Sequence, residues 1–254
     1  MAKPQPRMLE VLGTEHITPN MLRVNLGGDG LNGFPEGREG GYVKFVFPDA
    51  PRTNPERPVM RTYSVRAYDP AAGVLTVDFA LHGDSGGIAT DWALNAQVGD
   101  QILVGGPGTV KMASPEADWV LLAGDMTAFP ALMCNFLQLP STAKGYAVIE
   151  ITSEADKQDL GLPAGVEVHW VVTPSPEKAE GRLVERIKSL PWLAGDVFVW
   201  TACEFDAMRA LRSYYRNDRG VGRDQIYLSS YWRAGRTEDQ HKIDKQKEAT
   251  AAAA

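Results

Sequence analysis

Chemistry in this chain concentrates first in the run Met60-Arg61-Thr62-Tyr63-Ser64-Val65-Arg66. A guanidinium can fork onto a phosphate, and a tyrosine ring offers a flat apolar face to a flat ligand. Thr62, Tyr63 and Val65 favour an extended strand. In a strand Arg61, Tyr63 and Val65 share one face, and Thr62, Ser64 and Arg66 the other. Ser64 then reaches the same ligand only from a strand end or through its backbone N–H. A phosphate grip beside an aromatic platform suits a nucleotide-like cofactor. An edge strand with solvated arginines would be written with the same letters.

Four other groups of residues invite a chemical reading. His82-Gly83-Asp84-Ser85-Gly86-Gly87 leads into Ile88-Ala89-Thr90, a glycine-rich turn whose free N–H groups and helix dipole would attract an anion, with the Thr90 hydroxyl beside them. An ordinary turn has the same composition, but Arg61 would supply the second ligand that a pyrophosphate needs. Ala123-Gly124-Asp125-Met126-Thr127-Ala128 follows an apolar strand, where open α/β sheets bind ligands. It lacks the G-x-G-x-x-G fingerprint, so Thr127 as a helix N-cap is the feature offered to a pyrophosphate. Ala202-Cys203-Glu204 closes a later strand on the same side; Cys203 is either near a nicotinamide or a small buried filler. Lys44 is one cation inside the apolar run 41–48, sharing a strand face with Tyr42 and Val46.

The elements that must position these residues change character along the chain. Up to residue 113 short alternating segments are separated by frequent Gly and Pro turns, with one short helix at 88–94, which predicts a small antiparallel barrel. Residues 7–26 predict two strands around a turn-rich stretch at 14–20. From residue 115 strands alternate with helices. The strands are expected at 119–125, 145–151, 166–172, 196–202 and 225–231, and the helices at 127–139, 183–190 and 205–217. That alternation predicts a parallel α/β sheet. The tail 233–247 is dense in charge and is expected to form a helix. The expected domains are 1–114 and 115–254.

The totals bound the partners. The chain has 254 residues, 44% of them hydrophobic, with a net charge of −6; that balance argues against a general nucleic-acid binder. The two cysteines, Cys134 and Cys203, have neither disulfide nor zinc spacing, which suits a reducing cytoplasm. No window reaches the roughly 20 apolar residues that a spanning helix needs. There is no G-x-S-x-G, H-E-x-x-H or P-loop.

Arg61-Thr62-Tyr63-Ser64 resembles the R-x-Y-S flavin motif of the ferredoxin reductase superfamily. With the block from His82 to Ala93, the block from Ala123 to Ala131 and the ending Tyr231-Trp232-Arg233-Ala234-Gly235-Arg236-Thr237-Glu238-Asp239, the chain resembles the siderophore-interacting protein family. One departure is Cys203, where that family usually has glycine before the glutamate. The resemblance implies a two-domain, ferredoxin reductase-like fold: a FAD-binding β-barrel, then an NAD(P)H-binding α/β domain. It implies a monomeric cytoplasmic flavoprotein that reduces a ferric siderophore with NADH or NADPH, ferredoxin being another possible donor. Arg61 would bind the FAD phosphate, Tyr63 would stack on the flavin and Ser64 would sit near its reactive N5. Thr62, Val65, Asp78 and Trp92 would belong to the same cofactor site. His82, Gly87, Ile88, Ala89 and Thr90 would hold the ring edge and pyrophosphate, and Asp125, Thr127 and Trp232 would complete the cofactor contacts. Lys44, Arg233, Arg236, Lys245 and Lys247 would receive the anionic ferric chelate. In the loop Ser153-Glu154-Ala155-Asp156-Lys157 the acids repel a 2′-phosphate, whereas Ser153 and Lys157 could bind one. A flavin reductase with another acceptor and a non-catalytic siderophore-binding protein are the alternative functions.

Overall fold

The structure is a computed structural model that describes residues 5–51, 58–81, 87–114, 116–176 and 181–251. The chain divides into two compact units, Met1–Lys111 and Met112–Ala254.

In the first unit seven strands form one antiparallel sheet: β1 (Arg7–Thr18), β2 (Met21–Gly27), β3 (Tyr42–Phe47), β4 (Val59–Ser64), β5 (Ala67–Asp69), β6 (Val74–Ala80) and β7 (Gln101–Gly105). Their spatial order is β4-β3-β7-β1-β2-β6-β5. The sheet curls back on itself, because the Tyr63 ring of β4 lies 4.1 Å from the Phe79 ring of β6. Alternate residues of each strand fill the interior, including Leu9, Val11, Val24, Val43, Phe45, Val77, Phe79 and Val104. The helix α1 (Ile88–Asn95) adds Ala89 and Ala93 to that core.

The turn expected at 14–20 is not there. β1 runs on to Thr18 and pairs with β2 down to Thr18↔Met21, leaving only Pro19 and Asn20 as the turn. Glu15 and His16 lie on an exposed part of the strand, so no apolar alternation marked it. Register shifts beside Val11/Gly13 and His16/Thr18 bend β1, and its first residues pair with β7 instead. A bend of this kind lets one strand serve two directions of a curled sheet.

The second unit is a five-stranded parallel sheet of β8 (Trp119–Gly124), β9 (Lys144–Ile151), β10 (Gly165–Val172), β11 (Val197–Glu204) and β12 (Ile226–Trp232). Its spatial order is β10-β9-β8-β11-β12. β8 is buried along its whole length, which is why its sequence is a continuous apolar run. The helices are α2 (Phe129–Gln138), α3 (Arg182–Ser189), α4 (Phe205–Ser213) and α5 (Glu238–Ala251).

Thr127 is not the N-cap of α2. That position is Ala128, and no side chain caps the helix; Pro130 occupies the first turn, where its missing N–H costs nothing. The tail does fold as a helix. Thr237 and Gln240 start α5 with reciprocal side-chain-to-backbone bonds of 3.1 and 3.4 Å, a capping arrangement that uses two otherwise orphaned N–H groups.

Candidate functional site

In the first unit the alternation expected over 60–66 holds only to Tyr63; β4 ends at Ser64. Val59 and Val65 enter the core and Tyr63 packs against it, while Thr62 on the opposite face is exposed. Ser64 is also buried, at the last position of β4. Arg61 is half-buried and makes one bond, from Nη1 to the Met60 carbonyl at 2.9 Å. No carboxylate pairs with it among the described residues, so its guanidinium keeps donors for another anion.

Rings join this strand to α1. Tyr63 lies against Phe79 and, edge-on at 5.5 Å, against Phe45. Trp92 of α1 lies 5.4 Å from Phe45 and 6.1 Å from Phe79. The cluster fixes the helix beside β3 and β6. Gly87 is the N-cap, no side chain among the described residues caps the helix, and the space where a Cβ would stand is open. The first-turn N–H groups at Ile88, Ala89 and Thr90 are therefore left for an external acceptor. His82 lies outside the described residues.

Asp78 is buried and answered from two sides. Arg23 grips it with bonds of 2.7 and 2.9 Å, and Arg66 approaches to 3.9 Å. The Asp78 partnership raises the Arg23 pKa above the ordinary guanidinium value. Asp78 therefore ties β2, β6 and the end of the flavin-like motif together, and its role is to position. Lys44 stands with its ammonium 5.7 Å from the centre of the Tyr42 ring. That ring lies against Gly108, where a Cβ would come within 2.1 Å of it, so a larger residue there would displace the Tyr42 ring.

In the second unit the strand order 3-2-1-4-5 puts the topological switch between β8 and β11, the place where such sheets take ligands. Gly124 allows the crowding there: a Cβ would meet the Ala202 carbonyl at 2.7 Å and the Ala128 side chain at 2.9 Å. The register pairs Ile149 with Gly124 and Gly124 with Ala202. Glu150, Asp125 and Cys203 therefore follow in one row across three strands.

Each member of that row, and Glu204 after it, has a definite environment. Asp125 accepts from the Thr127 N–H at 2.9 Å and the Thr127 hydroxyl at 2.5 Å, and its other oxygen accepts from Trp232 Nε1 at 2.8 Å. Glu204 caps α4 through Asp206 and Ala207 N–H groups and accepts the Ala234 N–H at 3.2 Å. Cys203 is completely buried; burial first, then Asp125, Glu150 and Glu204, push its thiol pKa well up. It is a filler with no thiolate to offer.

Glu150 was not among the expected site residues. Its Oε1 accepts the Thr173 hydroxyl at 2.7 Å. Burial, with Asp125 and Glu204 adding repulsion, raises its pKa to about 7. The signal was present: a lone acid in Ala147-Val148-Ile149-Glu150-Ile151 is as conspicuous as Lys44 in its own strand.

The expected basic pocket is only partly available. Arg233 bonds Asp244 at 2.6 Å and lies 4.5 Å from the Phe205 ring centre, and Arg236 reaches the same carboxylate at 3.7 Å. Lys245 turns inward to the Ser230 carbonyl at 2.9 Å and Ser229 Oγ at 3.2 Å. Burial lowers its pKa. These three hold α5 onto β12, whereas Lys247 is exposed. Among the described residues there is no group of His, Cys, Asp or Glu that could hold a metal ion, and no helix long and apolar enough to cross a membrane.

Known proteins match along nearly the whole chain. A family model for the siderophore-interacting FAD-binding domain matches residues 10–56 and 52–111, and one for siderophore-interacting protein matches residues 117–235. The ferric vibriobactin reductase ViuB of Vibrio cholerae is 34% identical, over 94% of each chain. The NADPH-dependent ferric-chelate reductase of Escherichia coli is 26% identical, over 90% of this chain and 93% of that one. The crystal structure of the siderophore-interacting protein SipS from Aeromonas hydrophila superposes with a TM-score of 0.85 at 31% identity, covering 97% of this chain and 98% of that one. The curled antiparallel barrel, the parallel 3-2-1-4-5 sheet and these matches together show that the chain belongs to the siderophore-interacting protein family.

Proposed function

We propose that the chain is a FAD-dependent oxidoreductase that reduces siderophore-bound Fe(III) to Fe(II) with electrons from a reduced nicotinamide. The observation that carries this reading is that Arg61, without a carboxylate partner among the described residues, and α1, without a side-chain cap among them, lie on elements joined by the Tyr63–Phe79–Trp92 ring cluster, within the segment matched by the FAD-binding model. That donor set fits FAD: a guanidinium and a helix N-terminus for the pyrophosphate, and a fixed aromatic ring for the flavin. The name of the ViuB relative supports the acceptor.

Bound FAD would supply the chemistry that links a two-electron donor to a one-electron iron acceptor. The chain's own residues bind and orient. Arg61 and the N–H groups of Ile88, Ala89 and Thr90 take phosphate charge, Tyr63 and Trp92 form the aromatic wall, and Ser64 and Val65 fix the end of the strand. Thr62 is the exposed neighbour of the grip. Lys44 offers a positive charge to an anionic chelate. Fe(II) binds hard oxygen ligands less tightly than Fe(III), so reduction releases the iron.

The test is anaerobic mixing of the dithionite-reduced holoprotein with ferric siderophores of different charge, read as flavin reoxidation and Fe(II) capture. Fast reoxidation by anionic ferric chelates is expected. A flavin reoxidised by quinones or proteins but not by ferric chelates would refute the acceptor. Arg61→Ala should weaken FAD binding by about 10–100-fold, the worth of one charge-assisted bond. Unchanged FAD affinity would refute the cofactor assignment.

A further inference from the structure

Resting on the nicotinamide reading above, we infer that the donor is NADH rather than NADPH, and that Glu150 at the carboxyl end of β9 selects it by facing the adenosine ribose. In a βαβ nucleotide unit an acid about 20 residues after the first strand-to-helix turn bonds the ribose 2′-hydroxyl, whereas a nearby cation accommodates a 2′-phosphate. Glu150 follows Asp125 by 25 positions and stands level with it across the sheet.

The neighbouring carboxylates already have donors. Asp125 holds Thr127 and Trp232, and Glu204 holds the start of α4 and Ala234. Among the described residues Glu150 has only the Thr173 hydroxyl, on one oxygen. Its second oxygen is left to meet a ligand hydroxyl.

The loop after β9 offers a 2′-phosphate little. Ser153 is consumed in a capping box: its Oγ accepts the Ala155 N–H at 3.3 Å, and its own N–H donates to Asp156 at 3.0 Å. Asp156 is fully buried, so that loop is fixed. Lys157 is paired with Glu154 at 2.5 Å. The cation in the field of Glu150 is Arg182, at the start of α3. Its Nη1 donates to the Val172 carbonyl at 3.3 Å. The groups facing Glu150 are thus Asp125 and Glu204 from β8 and β11, Thr173 after β10, and Arg182 from α3. A 2′-phosphate of nearly two negative charges would meet this edge with net repulsion.

The experiment has a kinetic and a binding arm, both on the FAD-loaded protein. Stopped-flow flavin reduction should favour NADH over NADPH by about tenfold or more, the scale of one unscreened charge repulsion at the site. Calorimetry should show 5′-AMP binding more tightly than 2′,5′-ADP. Glu150→Gln should narrow both ratios several-fold by improving the 2′-phosphate ligands. Equal or better use of NADPH by the wild-type protein, or ratios unmoved by Glu150→Gln, would overturn the inference. If neither nicotinamide reduces the flavin while dithionite-reduced protein still reduces ferric chelates, the inference fails and the reductase reading stands. If the protein binds no FAD, both fall.

Discussion

Glu150 makes a stability prediction that needs no substrate. An ordinary glutamate at 4.5 is raised to about 7 in the folded chain, chiefly by burial. Between those values the folded state keeps a proton that the unfolded chain has released. Stability therefore falls as pH rises through this window and levels off above about pH 7. The difference of about 2.5 units corresponds to about 3 kcal/mol at alkaline pH. Glu150→Gln keeps an acceptor for the Thr173 hydroxyl and cannot ionise. It should match the wild type near pH 4.5 and exceed it by about 3 kcal/mol near pH 8. For a unit of this size that is a gain of about 6–12 °C in Tm. Thermal melts of both proteins across that pH range, followed by circular dichroism, measure it. Thr173→Val removes a bond that favours the carboxylate, so it should move the window upward. A Tm difference that is independent of pH, or of the opposite sign, would refute the argument that Glu150 is desolvated.

Two further perturbations test other parts of the molecule. Lys44→Ala should raise the KM for an anionic ferric chelate and weaken its salt dependence, because the charge of the half-buried Lys44 is still partly screened by salt; steady-state assays at two ionic strengths against an artificial acceptor check this, and equal loss with both acceptors would count against it. His241, buried against Phe205 and Ser230, has its pKa lowered mainly by burial. Its contribution to holding α5 is present above about pH 6.5 and is lost as pH falls through the lower folded value; the protection factors of amides 238–251, each taken against the intrinsic exchange rate at the same pH, should fall on acidification, and His241→Asn should flatten that response.

Much of the fold was legible because its signals are local. Alternation in β2 and β6, the apolar runs of β3 and β8 and the strand–helix rhythm after them each follow from residues a few positions apart. The strand 14–18 was not legible, since its exposed face carries no apolar period. Thr127 looked like a cap by residue type, but its hydroxyl is taken by Asp125 and the helix starts two residues later. The tail cations looked free, because their partners are distant in sequence: Lys245 binds Ser229 and Ser230 across the α5–β12 contact.

The sequence by itself determined residue types and short periods: a guanidinium two positions from an aromatic ring, glycines before a helix, a lysine in an apolar strand. Those are properties of neighbours along the chain, fixed by backbone geometry. Tertiary structure alone decided which strands lie side by side. The order β10-β9-β8-β11-β12 sets Glu150 and Asp125 level, carries Trp232 to an aspartate 107 positions away, and buries Cys203 among carboxylates. Strand order depends on how whole apolar faces are covered, and no short window of sequence contains that information.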